Sequence, residues 1–144
     1  MKTENMGITY AEIELIRSDD RALFREGYIR EDQIKSVKVR AMVDSGSSML
    51  AIPESIKNQL NLLKLDEKQA ELADGSILRL EIVGPIEIRF ENRIATVSAM
   101  VVPNSNVVLL GAIPMQDMDV LIDPKRERLI VNPESPDIAR MLLK

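Results

Sequence analysis

Apolar residues recur at every second position in several segments of this chain, and that spacing limits the folds open to it. The segment 37–43 reads V-K-V-R-A-M-V, and the segments 78–82 and 86–90 alternate in the same way. Successive side chains of a β-strand point to opposite faces, so a period of two buries one face and leaves the other in water. The pattern therefore predicts an all-β fold of short strands joined by turns.

Only short stretches of the chain indicate helix. Residues 54–60 and 113–118 each carry apolar positions about one helical turn apart, which predicts one or two turns in each place. A further short helix is predicted at about 136–143, with Ser135 as its N-terminal cap and Pro136 in its first position.

The rest of the chain divides into strands and connections. The charged segment 21–35 lacks a clear period and is interpreted as a long connection that follows a turn at 18–20. There is no internal repeat, low-complexity tract or change of composition. Because 144 residues suffice to enclose one core, we predict a single domain over 1–144, with its core at about 8–133.

The composition narrows the possible chemistry. The chain contains no His and no Cys, which excludes Ser-His-Asp and Cys-His machinery, disulfides and the usual zinc sites. Any acid–base chemistry would therefore be carried out by carboxylates. The net charge of -4 and the lack of a basic cluster with interleaved aromatic residues argue against a nucleic-acid partner. We expect no cofactor.

One uncharged run, 94–116, is long enough by count to span a bilayer. The sequence Pro103-Asn104-Ser105-Asn106 lies near its middle and predicts a turn between two strands instead. Residues 1–10 lack an apolar stretch of signal-peptide length. We therefore expect a soluble, cytoplasmic protein without a membrane partner.

The triplet Asp44-Ser45-Gly46 follows the alternating segment 37–43 directly, and the apolar stretch 49–53 comes soon after it. A carboxylate between two core strands is costly to bury unless it is paired or hydrogen-bonded. The triplet alone is typical of a plain turn, since Asp and Ser hydrogen-bond their own backbone. Its position between two apolar strands indicates more than a plain turn.

Two further motifs lie downstream. Asp74-Gly75 separates strand-like segments and predicts a hairpin turn, and a short apolar strand ends at Gly111. In order and spacing, these motifs resemble those of the retropepsin-like aspartic proteases, in particular the small prokaryotic members. The matching residues are 42–53 for the active-site signature, Ala73, Asp74, Gly75 and Ser76 for the flap hairpin, Leu109, Leu110 and Gly111 for the apolar-apolar-Gly motif, and Ile122-Asp123-Pro124 for a C-terminal turn. The likeness extends from about residue 8 to about residue 133.

The resemblance implies a mainly antiparallel closed β barrel of the retropepsin type, with one or two short helices, that works as a homodimer. Each copy would supply Asp44, and the pair would activate a water to hydrolyse a peptide bond. Ser45 would hydrogen-bond across the dimer axis, and Gly46 would let the backbone approach the substrate. Ser47 departs from the viral members, which often have Ala at this position. A hydroxyl here would hydrogen-bond the ionised carboxylate, which predicts an acidic pH optimum.

The resemblance also implies how substrate is held. The flap hairpin at 73–76 would close over an extended peptide, which binds as an added strand. Gly111 would let the Leu109-Leu110 strand pass close behind the Asp44 loop. The implied partners are a second copy of the chain and a peptide or protein substrate.

Other interpretations stay open. A non-catalytic dimeric β module of the same fold would bind peptides or protein partners without cleaving them. Asp117, Asp119 and Asp123 offer oxygen ligands but lack the calcium-loop spacing and its Gly, so we interpret them as exposed carboxylates and expect no metal. Asp123 as a second catalytic residue is disfavoured because Pro124 replaces the hydroxyl residue. A nucleophile at Ser47 or Ser48 would need a Lys base, and the chain has no Ser-x-x-Lys pattern.

Overall fold

A computed structural model describes residues 8–143 of the chain. Within them, nine strands and three α-helices follow one another. The strands are β1 (Thr9–Arg17), β2 (Ser36–Val43), β3 (Leu50–Pro53), β4 (Leu63–Glu71), β5 (Ile77–Phe90), β6 (Arg93–Val102), β7 (Val108–Leu110), β8 (Val120–Asp123) and β9 (Arg128–Val131). The helices are α1 (Ser18–Arg25), α2 (Glu54–Gln59) and α3 (Ala112–Met118), and a 3-10 turn spans Glu31–Gln33.

Six of the strands close into a barrel, because β5 pairs with β6 on one side and with β1 on the other. The order around the ring is β1, β2, β7, β3, β6 and β5. Strand β4 extends the sheet beyond β5, and β9 and β8 extend it beyond β1. Among the described strands, β2–β7, β3–β6 and β1–β9 are parallel and the other pairings are antiparallel. The predicted all-β, mainly antiparallel closed barrel is confirmed.

The alternation in β1 explains why the barrel closes. Ala11, Ile13 and Leu15 share one face and are at most 6% exposed, whereas Glu12 between them faces solvent. These inward residues join one apolar cluster with Ile88 of β5. Burying a Leu or Ile side chain is worth about 1.5–3 kcal/mol, so a period of two on each strand favours one common interior.

Residues 18–20 form the first turn of helix α1, so the predicted turn there is wrong. Asp20 is 4% exposed, and its carboxylate accepts hydrogen bonds from the Arg17 guanidinium at 2.6 Å and from the Lys35 amide at 2.9 Å. These contacts hold the start of α1, in which Asp20 is the buried residue. The segment 21–35, predicted as a long connection, therefore holds most of α1 and the 3-10 turn.

The predicted helix at about 136–143 is also wrong, since no helix forms there. The Arg140 amide would have to bond to the Pro136 carbonyl in a helix. It donates instead to the Asp119 carboxylate at 2.9 Å, and the Pro136 carbonyl accepts from the Asn92 side chain at 2.9 Å. The Ser135 hydroxyl donates to Asp119 rather than capping a helix.

The uncharged run 94–116 forms most of β6, a turn, β7 and the start of α3, in agreement with the interpretation as strands. Within residues 8–143, no helix has the length and apolar character needed to cross a membrane.

Candidate active site

Asp44 is the first residue after β2, and its loop is held by backbone hydrogen bonds. The Asp44 amide donates to the Leu110 carbonyl at 2.9 Å, which ties the start of the loop to the end of β7. The Gly46 amide donates to Asp44 Oδ1 at 3.0 Å, and the Ser47 amide donates to the Asp44 carbonyl at 3.1 Å. Residues 44–48, here called the Asp44 loop, therefore form a tight turn around the carboxylate.

The flanking strands are buried, but Asp44 itself is not. Val43 is 8% exposed and Leu50 is 0% exposed, whereas Asp44, Ser45 and Gly46 all face solvent. The flanking apolar segments suggested that Asp44 is buried. In a single chain this is wrong, because Asp44 is exposed. Among residues 8–143, no group hydrogen-bonds to Asp44 Oδ2 or to the Ser45 hydroxyl. The outer side of the carboxylate is available to a partner, a substrate or water.

The end of β7 lies directly behind the Asp44 loop. A Cβ built on Gly111 would lie 2.7 Å from the Ser47 carbonyl oxygen and still closer to that of Met49, so only glycine fits. The Ala112 amide donates to the Ser47 carbonyl at 2.7 Å, and the Ile113 amide donates to the Ser48 carbonyl at 2.9 Å. The structure thus brings Gly111 against the Asp44 loop, as the resemblance implies.

The two leucines before Gly111 place β7 in the barrel. Leu109 pairs with Met42 of β2 on one side and with Ala51 of β3 on the other. Leu110 is 0% exposed and belongs to the core. The strand therefore lies between the two strands that flank the Asp44 loop and fixes their separation.

Strands β4 and β5 form the predicted hairpin, with residues 72–76 at its tip. Gly75 has a φ of +87°, a conformation that favours glycine, and its amide donates to the Leu72 carbonyl at 2.9 Å. The Ser76 hydroxyl and amide donate to Asp74 Oδ1 at 2.6 and 2.9 Å and lower the pKa of Asp74. Ala73 completes the exposed turn.

The hairpin tip, residues 72–76, is not bonded to the Asp44 loop in the part of the chain that the structure describes. No hydrogen bond or ion pair within the described part of the chain joins residues 72–76 to residues 44–48. Among the sequence-predicted site residues, the structure thus brings together the Asp44 loop and 109–111, and leaves the hairpin as a distinct exposed element.

The remaining acidic candidates do not form a metal site. No group of three acidic side chains within residues 8–143 is arranged to hold a metal ion. Asp123 Oδ1 accepts from the amides of Lys125 and Arg126 at 3.1 and 3.3 Å, so the turn interpretation of Asp123 is confirmed. The Arg126 guanidinium also hydrogen-bonds this carboxylate and lowers the pKa of Asp123. Asp117 is exposed on α3.

The sequence analysis missed a polar cluster around Asp119, at the C-terminal end of α3. Its carboxylate accepts from the Ser135 hydroxyl, from the Asn132 side chain at 3.0 Å and from the Arg140 amide at 2.9 Å. These bonds, with the Arg93 guanidinium 3.9 Å away, lower the pKa of Asp119 to about 2. We call these five residues the Asp119 cluster.

One signal for this cluster was present in the sequence. Arg93 occupies an inward position of β6, two residues before the buried Ala95, and its side chain is 1% exposed. A buried charge normally needs a partner, so an arginine at a core position predicts an acid nearby. The partner itself was not predictable, because Asp119 is far away in the sequence.

Comparison with protein families supports the assignment that the motifs suggest. Residues 31–117, more than half of the chain, match the family described as gag-polyprotein putative aspartyl protease. The chain therefore belongs to this retropepsin-like aspartic protease family, and membership indicates a protease. The matched segment includes the Asp44 loop, the hairpin and residues 109–111. No curated protein matched the chain.

Proposed function

We propose that this protein is an aspartic endopeptidase, active as a homodimer in which Asp44 of each copy contributes one catalytic carboxylate. One observation carries the proposal. Asp44 lies exposed, with Oδ2 unbonded within the described chain, in a loop whose backbone is held by β7 and α3. A carboxylate whose loop is held by backbone hydrogen bonds and whose own Oδ2 is exposed suits catalysis better than packing.

The requirement for two copies follows from the chemistry. Peptide hydrolysis needs a general base for the water and a general acid for the carbonyl oxygen, and one carboxylate cannot serve as both at once. Two adjacent carboxylates share one proton, because both cannot ionise at short range. The chain offers one Asp-Ser-Gly motif and has no His or Cys to serve instead.

In the proposed reaction, the ionised Asp44 takes a proton from a water molecule. The oxygen of that water attacks the peptide carbonyl carbon at the same time. The protonated Asp44 of the second copy donates its proton to the carbonyl oxygen, which gives a gem-diol. Proton transfer to the amide nitrogen then lets the C–N bond break, releasing an amine and a carboxylic acid. The apparent pKa values of such a pair belong to the pair and not to either residue.

The other loop residues have supporting roles in this proposal. The Ser45 hydroxyl, which bonds to nothing within the described residues, would hydrogen-bond to the partner copy's loop and orient both carboxylates. The β4–β5 hairpin would close over a peptide bound in extended form and exclude water. Gly46 leaves room beside Asp44, because a Cβ there would lie 3.3 Å from Oδ1.

The test is the substitution Asp44→Asn, which keeps the shape of the side chain. The residue is exposed, so we expect unchanged folding and dimerisation and a loss of peptide cleavage of at least about a hundredfold. Asp117→Asn, another exposed carboxylate, is the matched control and should cleave normally.

Two outcomes would reject the proposal. One is an Asp44→Asn protein that cleaves as well as the wild type. The other is a wild-type dimer that cleaves nothing in a peptide library from acidic to neutral pH and does not bind a statine-type transition-state mimic. The second outcome would favour the non-catalytic peptide-binding module.

A further inference from the structure

Helix α3 is held at both of its ends by hydrogen bonds to other parts of the chain. At its start, the amides of Ala112 and Ile113 donate to the Asp44 loop at 2.7 and 2.9 Å. At its end, the Asn132 amide donates to the Asp119 carbonyl at 3.2 Å, and the Asp119 carboxylate is bonded within the Asp119 cluster. The seven residues of α3 make about two turns and span about 10 Å. One short, continuous element therefore joins the two anchor points.

The backbone turns sharply at Asp119, the residue that ends α3. Asp119 has a φ of +56°, in the left-handed region that residues other than glycine rarely adopt. Its amide donates to the Gln116 carbonyl at 3.1 Å, which closes the last turn of the helix. Its carboxylate accepts hydrogen bonds from Asn132, Ser135 and the Arg140 amide. The bonds to this one side chain therefore fix where the last turn of α3 lies.

The buried Arg93 explains why the Asp119 cluster needs a charged carboxylate. The Arg93 side chain is 1% exposed, and its Nη2 donates to the Ser135 carbonyl and lies 3.9 Å from the Asp119 carboxylate. Its Nε and Nη1 are buried and have no hydrogen-bond partner among residues 8–143. A buried cation that loses its counter-charge is strongly destabilising, so the groups around it have to rearrange. Neutralising Asp119 should therefore displace the end of α3.

A displacement at one end of α3 reaches the other end. The helix packs into the protein through the buried side chains of Pro114, Met115 and Met118. Close-packed interiors have low compressibility and transmit strain, so a short packed helix shifts as a unit. A shift of its last turn would move the amides at its start and, with them, the carbonyls of Ser47 and Ser48 that accept from those amides. These carbonyls belong to the loop that holds the candidate catalytic carboxylate.

We propose that Asp119 is a positioning residue for Asp44, because its contacts fix the helix whose other end holds the Asp44 loop. The inference rests on the proposed function, since the exact position of Asp44 matters for a reaction at its carboxylate. A misplacement of about 1 Å can cost about a hundredfold in rate, even when the substituted residue lies far from the reacting atoms. The effect belongs in kcat rather than in KM, because α3 is not part of the hairpin that would cover the peptide.

The experiment compares Asp119→Asn with Asp20→Asn, which neutralises another carboxylate that is bonded to an arginine. Asp20 is 4% exposed and lies far from the loop, because it follows the end of β1 opposite to the end at which Thr9 pairs with Val43. Both variants should lose stability. Measured per folded protein, kcat should fall at least about fivefold in Asp119→Asn with KM unchanged, and should stay at the wild-type value in Asp20→Asn.

Amide hydrogen exchange provides a second measurement that does not depend on activity. The amides of Ala112 and Ile113 should exchange at least about tenfold faster in Asp119→Asn than in the wild type, because their bonds to the loop are weakened. Their exchange in Asp20→Asn should match the wild type. Ser135→Ala removes one donor from the Asp119 carboxylate and keeps the test informative if Asp119→Asn fails to fold. It should lower kcat and speed exchange at the same two amides.

The outcomes separate this inference from the proposed function. A folded Asp119→Asn protein with unchanged kcat overturns the positioning role and leaves the Asp44 pair as proposed. Equal losses of kcat in Asp119→Asn and Asp20→Asn overturn it too, as does a lower kcat without faster exchange at Ala112 and Ile113. If the wild type cleaves no peptide while Asp119→Asn speeds that exchange, the link from Asp119 to the loop stands and the peptidase is rejected.

Discussion

The Ala112 amide donates a hydrogen bond to the Ser47 carbonyl at 2.7 Å, so the first residue of α3 is bonded directly to the Asp44 loop. This contact requires the two backbones to approach closely, and Gly111 permits the approach because it has no Cβ. The position of the candidate catalytic carboxylate therefore depends on residues that never touch it.

Gly111→Ala should destabilise the protein and abolish cleavage. The new methyl group would overlap the carbonyl oxygens of Ser47 and Met49, which are backbone atoms and cannot rotate away. Overpacking of this kind costs about 1–3 kcal/mol, and the Asp44 loop would have to move. Urea unfolding and a peptide-cleavage assay measure the two effects.

Gly46→Ala is the matched control for that change. Its Cβ would lie 3.3 Å from Asp44 Oδ1, a tight contact with a side chain rather than with backbone. We expect a smaller loss of stability than for Gly111→Ala. Equal stability losses in the two variants would show that the contact between β7 and the Asp44 loop has no special importance.

Asp119→Asn should lower stability in a pH-dependent manner. The folded-state pKa of Asp119, about 2, lies below its ordinary value of 3.8, because the Ser135 hydroxyl and its other donors favour the ionised form. The stabilisation is therefore complete above 3.8 and is lost as the pH falls through about 2. Denaturant unfolding should show a wild type that is more stable near neutral pH and a difference that shrinks in acid.

The same pKa has a consequence for activity. The Asp119 cluster should keep its charge throughout the mildly acidic range in which a carboxylate pair works, so it should not limit the acid side of the activity profile. A stability difference between the wild type and Asp119→Asn that is constant from neutral pH to about pH 2 would contradict the lowered pKa of Asp119.

Asp74→Ala should loosen the hairpin tip with little effect on global stability. The Asp74 carboxylate accepts from both the hydroxyl and the amide of Ser76, and the whole tip is exposed. We expect kcat/KM for peptide cleavage to fall several-fold, chiefly through KM, because the flap would order less readily over the substrate. Asp66→Ala, on the outer strand β4, is the control and should leave kcat/KM unchanged.

Ser47→Ala tests the predicted acidic optimum. Within the described residues, the donor on Asp44 Oδ1 is the Gly46 amide, and the Ser47 hydroxyl has no bonded partner. If that hydroxyl bonds to the ionised carboxylate in the dimer, the pH–rate profile of Ser47→Ala should move upward while that of Ser48→Ala stays in place. A profile that does not move would leave the Gly46 amide as the relevant donor.

The sequence predicted those parts of the fold that depend on local pattern. Alternation identified strands that have one buried face, such as β2 at 37–43. Strand β3 is buried at every position and does not alternate. The Asp74-Gly75 pair predicted the hairpin because its turn needs a residue with positive φ, which Gly75 supplies. The contact of Gly111 with the Asp44 loop followed from the resemblance.

The errors occurred where distant contacts override local preference. Helix α1 depends on Asp20, whose carboxylate accepts a hydrogen bond from the Lys35 amide. A periodic pattern in the sequence does not predict that bond. The predicted helix at 136–143 fails because Asp119 takes the amide of Arg140. Asp44 lies at the surface because its loop extends beyond the ends of two buried strands, and strand pattern alone does not show on which side a loop emerges.

The closure of the barrel sets an order for folding. Strand β1 comes first in the chain but pairs with β5, so that Glu14 lies opposite Arg89, and a pairing this distant in sequence is slow to form. The Asp44 loop also obtains its backbone partners from Leu110, Ala112 and Ile113. During synthesis, a ribosome-bound chain that ends before these residues has Asp44 without the contacts that orient it. We therefore expect the Asp44 loop to become ordered only after most of the chain has left the ribosome.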